Sequence, residues 1–141
     1  MNVKSIKVFF FAVVFCCGFS LPASAQIYFY LQPDAAKAKA AKAGFAFSKE
    51  EKTAGDTLQL IFYKSTDASN KLTITIDPAG FCSQFSYTLP AQSVITFHKN
   101  LSTNFTQRDN GLWESREKNF LLRVEQSAGI TTAVYLPYTA P

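Results

Sequence analysis

The chain has 141 residues, 48% hydrophobic, 15% aromatic and 17% charged, with 14 Lys and Arg against 10 Asp and Glu. That is room for one domain, and the chain is too apolar and too weakly charged to be disordered. The formal net charge of +4 raises nucleic acid and anionic membrane as partners, and the placement of the charges tests both.

Residues 1–25 read as a secretory signal. Lys4 and Lys7 form a positive start, and Val8–Phe19 is an apolar run too short to span a bilayer. Pro22 ends the run, and Ala23-Ser24-Ala25 supplies the small residues that a signal peptidase pocket admits. The expected mature chain begins at Gln26, placing the protein in the periplasm or outside the cell. Cys16 and Cys17 lack a small residue before them, since Phe15 precedes Cys16, which argues against a lipid anchor. Cleavage leaves Cys82 as the one cysteine, so no disulfide framework or cysteine-based metal site is expected. Cys82 reads as a small buried hydrophobe, with an intermolecular disulfide as the functional alternative.

Residues 26–43 comprise an expected strand, Ile27–Leu31, and the segment Asp34–Ala43, which carries Lys37, Lys39 and Lys42. The Ala/Lys composition favours helix, with Asp34 as a candidate N-cap and Gly44 as a stop. Without a large apolar residue it has nothing to anchor it in a core, so it is expected as a short surface helix or linker. In effect it would be a basic stalk, and its functional reading is a handle for an anionic surface. From Gly44 to Pro141 nine basic residues balance nine acidic ones. Arg108, Arg116 and Arg123 are interleaved with Asp109, Glu114, Glu117 and Glu125, so no basic face for nucleic acid is expected.

Residues 44–141 form the expected domain. In Lys71–Ile76, Leu72, Ile74 and Ile76 alternate with Lys71, Thr73 and Thr75. In Phe81–Leu89, Phe81, Phe85, Tyr87 and Leu89 alternate with Cys82, Gln84, Ser86 and Thr88. Leu58–Tyr63 is apolar on both faces, as a covered central strand would be. Val94–Phe97, Leu112–Glu117, Phe120–Glu125 and Ile130–Leu136 complete the expected strands. Between them stand turn signals at residues 54–56, 67–70, 77–80, 109–111, 118–119 and 127–129. About eight short strands at this spacing predict an all-β fold, an antiparallel β-sandwich, with a small β-barrel as the alternative.

Chemistry is sparse. His98 is the only histidine and has no nucleophile elbow beside it, so it reads as an exposed residue at a strand end. Glu114 and Glu117 would point to opposite faces of a strand and make no acid pair. No phosphate loop, dinucleotide fingerprint or calcium loop occurs. No catalytic residue, metal or cofactor is expected. Sixteen aromatic residues remain after Ala25. Tyr63, Trp113 and Tyr135 fall opposite the stronger apolar stripe and Tyr138 lies past the last strand, so these four form the expected exposed platform for sugar rings or partner side chains. The alternative places them in a second core layer. Asn100-Leu-Ser102 and Asn104-Phe-Thr106 are glycosylation sequons, useful only in a eukaryotic source.

Asp56–Asp67, Leu72–Ile76 and Tyr87–Phe97 with its Leu-Pro-Ala-Gln-Ser-Val-Ile-Thr-Phe run resemble the non-catalytic β-sandwich side domain of secreted glycanases. The resemblance covers residues 56–97, lacks the catalytic barrel, and implies a carbohydrate-associated sandwich without carrying over any site residue. The sequence therefore predicts an exported, non-catalytic binding or accessory module for a polysaccharide. The alternatives are an assembly protein acting through an open sheet edge, and a small periplasmic enzyme inhibitor.

Overall fold

The computed structural model describes residues 27–109 and 111–140. The segment expected as a secretory signal, with Cys16 and Cys17, lies outside the described residues. The fold is all-β and antiparallel, with eight strands and two short helices among the described residues. Strands β1 (Phe45–Thr53), β2 (Thr57–Lys64), β3 (Asp67–Ile76) and β4 (Cys82–Leu89) form one meander. Strands β5 (Phe105–Gln107), β6 (Trp113–Ser115), β7 (Phe120–Ser127) and β8 (Ile130–Pro137) form a second. The second meander folds back so that β8 pairs with β4, giving one hydrogen-bonded sheet in the order β1-β2-β3-β4-β8-β7-β6-β5. The sheet is not closed into a barrel, for β1 and β5 are both edges.

Period-two alternation sends one set of side chains to each face. The inner set, Leu60, Phe62, Leu72, Ile74, Phe85, Tyr87, Leu122, Ala133 and Tyr135, forms the core. Phe45 on β1 and Tyr87 on β4 would stand about 14 Å apart in a flat sheet, at about 4.8 Å per strand. Their ring centroids are 5.7 Å apart, so the sheet curls and the inner face is its concave side.

Two helices fill that concavity. Helix α1 (Pro33–Lys42) starts with Pro at its first turn and Asp34 beside it, and ends with Lys39 and Lys42 complementing its dipole. The side chain expected to cap it does not: the N-cap is Gln32, without a side-chain bond. Ala36 and Ala40 are wholly buried, which corrects the picture of an unanchored basic stalk. Four residues apart on one helical face, two methyl groups let the backbone lie close against the sheet, so smallness is what anchors it. Lys37 reaches Phe47 (4.5 Å to the ring) and Glu50 (3.9 Å) on β1, and Lys64 donates to the Ala43 carbonyl at 3.4 Å.

Helix α2 (Val94–Asn104) carries the chain from β4 to the far edge, placing Phe97 and Leu101 in the core. The strand expected at Val94–Phe97 is its first turn. Ile27–Leu31 is not a strand either; it is tied to the sheet by bonds from Tyr30 N to Cys82 O and from Cys82 N to Leu31 O, both 2.9 Å. Two strands went unforeseen: β1, whose Lys49–Lys52 run hides its alternation, and the three-residue β5. The turn signal at 67–70 marks an irregular start of β3, where Asp67 accepts from Ser69 N and Oγ at 3.0 and 2.6 Å. These bonds hold the Asp67 carboxyl below its usual range.

Candidate binding surface

The four aromatic residues expected as one platform are dispersed. Tyr135 is 1% exposed and stacks on Phe85, with centroids 4.7 Å apart and planes within 7°. Burial pushes its hydroxyl well above the ordinary tyrosine range. It was misplaced because Val134, its more apolar neighbour, is buried too, on the outer face. Trp113 pairs with Leu122 and packs half-buried against the core, so it belongs to the inner face. Tyr138 sits in a polar latch at the C-terminal end of β8. There Arg108 Nε donates to Glu114 Oε2 at 2.8 Å and Arg108 Nη2 to the Thr139 carbonyl at 2.9 Å. The guanidinium lies 5.2 Å from the Tyr138 ring, whose hydroxyl donates to Glu114 Oε1 at 3.5 Å. Only Tyr63 stands on the outer face, half-exposed on β2.

Cys82 is 1% exposed, its thiol directed at the Gln84 carbonyl at 3.4 Å, and burial pushes its pKa up to about 12. An intermolecular disulfide from this position is ruled out in the folded state. Alternation put Cys82 outward, but Ser83 is an extra residue between the Thr75–Gln84 and Ile76–Cys82 pairs, and that bulge returns Cys82 to the core. His98 is exposed, on α2 rather than at a strand end. Asn100 and Asn104 also lie on α2.

The outer face of β2, β3, β4 and β8 has a composition of its own. Cross-strand register aligns Gln59, Thr75 and Gln84 in one row. It aligns Ile61, Thr73, Ser86 and Val134 in the next, then Tyr63, Lys71, Thr88 and Thr132. Lys71 is the sole charge among these outward residues; Lys49 and Glu51 on β1 and Arg123 and Glu125 on β7 stand at the margins. None of the seven uncharged polar side chains, Gln59, Thr73, Thr75, Gln84, Ser86, Thr88 and Thr132, is hydrogen-bonded to another described residue. Each therefore offers a free donor or acceptor. Ser and Thr also lose little rotamer freedom on contact. Both helices lie on the other face. The signal for this panel was present in the sequence, as the polar partners in the alternation of Lys71–Ile76 and Phe81–Leu89.

Among the described residues no three His, Cys, Asp or Glu side chains are grouped to hold a metal ion. No helix among them is long and apolar enough to cross a membrane. Comparison of the chain with protein-family models, with curated proteins and with solved structures finds no match.

Proposed function

We propose that the protein is an exported, non-catalytic module that binds neutral polysaccharide through the outer face of β2, β3, β4 and β8. The observation that carries this reading is the panel of seven unpartnered, uncharged hydrogen-bonding side chains on four adjacent strands. A hydroxyl-covered chain needs donors and acceptors without a field of fixed charge, together with a ring to stack on, and Tyr63 stands at the border of the panel. The likeness of residues 56–97 to glycanase side domains points the same way, and the signal segment supports export.

The test is affinity electrophoresis in gels containing dextran, hydroxyethyl cellulose or another neutral soluble polysaccharide. At least one is expected to retard the protein, equally at low and high salt. Ser86→Lys, at the centre of the panel, should abolish retardation, and Tyr63→Ala should weaken it about tenfold, the effect of losing about 1.4 kcal/mol. Unchanged retardation of Ser86→Lys would sink the reading, as would no retardation in any gel. The second reading is a protein partner added at β1, a nine-residue edge strand exposed beyond Phe45. Its bulge at Ser48 and the charges at Lys49, Glu50, Glu51 and Lys52 are features that discourage edge pairing.

A further inference from the structure

A groove of about 600 Å³ runs between one flank of α1 and the segment before it, lined by Tyr28, Leu31, Ala35, Ala38, Lys39 and Lys42. Its size falls within the range of small-molecule sites, roughly 300–1,000 Å³. It is separate from the outer face of the sheet, since α1 lies on the concave side.

The lining changes character along the helix. Leu31, Ala35 and Ala38 make an apolar strip, and Lys42 lies about 6 Å beyond Ala38 along the helix, at 1.5 Å per residue, with Lys39 between them. Tyr28 contributes to the wall and is wholly buried. Lys39 is already held, donating to the Ile27 carbonyl at 2.5 Å. Lys42 is exposed and has no hydrogen bond or ion pair among the described residues. The helix's one acid, Asp34, is at its opposite end. Because Ala35 and Ala38 are exposed, larger helix-forming side chains would fit there without cost to the fold and would fill the groove.

We propose that this groove binds a fatty carboxylate, with its chain along Leu31, Ala35 and Ala38 and its carboxylate at Lys42. The apolar wall accounts for the chain, and the unpaired ammonium for the sign of the head group. A cationic amphiphile meets like charge at both lysines, and a neutral one leaves Lys42 unused.

The experiment is calorimetric titration of the protein with dodecanoate below its micelle concentration, with dodecanol and dodecyltrimethylammonium as comparisons. Saturable one-to-one binding of dodecanoate is expected, with the cation not bound. Lys42→Gln should weaken dodecanoate about tenfold, or about 1.4 kcal/mol, and leave dodecanol unchanged. Ala38→Trp, which fills the groove, should abolish binding while the thermal transition is retained. Backbone amide shifts on titration should be confined to residues 27–43, and this mapping with Lys42→Gln decides the matter if Ala38→Trp does not fold. Absence of saturation, equal binding of the cation, full binding by folded Ala38→Trp, or shifts centred on the sheet would each overturn the proposal. None of these results bears on polysaccharide binding by the outer face.

Discussion

Cys82 shows how a single position couples the core to solution conditions. Its thiol ordinarily ionises near 9.0, and burial pushes that up to about 12. Below about pH 9 the thiol is protonated in both folded and unfolded chains and the stabilising difference is fully present. Above it the unfolded chain releases a proton that the folded chain keeps, so stability falls by about 1.4 kcal/mol per pH unit until the folded pKa is reached. Tyr87 and Tyr135, both raised well above 10.0 by burial, steepen the loss at higher pH. Urea midpoints measured between pH 8 and 10.5 should therefore decline, and Cys82→Ala should decline less between pH 9 and 10. A native thiol titration should leave Cys82 unreacted. At another position the backbone is the issue. Ser127 and Ile130 are paired across a two-residue turn in which Ala128 has φ 51° and Gly129 φ 77°. Two positive φ values favour Asn-Gly, and an Ala in the left-handed region costs about 1 kcal/mol. Ala128→Asn should recover much of that, raising Tm by about 4 °C in a thermal melt.

Among the elements, those with strong local patterns were legible and those defined by long-range packing were not. β3, β4 and β7 were readable because each alternates over several residues, and β2 and β8 because each is a short apolar run bounded by turn signals. In β6, three residues are too few to fix which face Trp113 occupies. Helix α2 was misread because Val94, Ile95 and Thr96 favour strands locally; the spacing of Val94, Phe97 and Leu101 on one helical face was the better signal. The same distinction explains the platform that did not form: alternation assigns a residue to a face, but only the register across strands brings residues of different strands together. The β6–β7 turn depends on Ser115, which is 5% exposed. Its hydroxyl donates to Asn119 Oδ1 at 2.8 Å and accepts from Asn119 N and Phe120 N at 3.1 and 3.3 Å. Ser115→Ala leaves buried groups of the turn unpartnered and should cost about 2 kcal/mol in denaturant unfolding, with no effect on polysaccharide retention.

At the scale of the whole molecule, the all-β class follows from the sequence, whereas the full set of strands and their order in the sheet do not: two expected strands are a loop and a helix, and β1 and β5 stand in their place. Adjacent strands pair throughout both meanders, but the β4–β8 contact joins segments some 40 residues apart that no local pattern links. That contact makes the last strand a central one, bonded to β4 on one side and β7 on the other. Truncation at Ser127 should therefore divide the sheet and abolish cooperative unfolding, which circular dichroism of the shortened chain would report. A chain that is synthesised or threaded from its amino end can assemble β1 to β4 early, but β4 stays an open edge until β8, some 40 residues later, has been delivered. A chain delivered as far as β4 but not yet as far as β8 therefore presents β4 as an unpaired edge, the state in which it is most open to pairing with another chain.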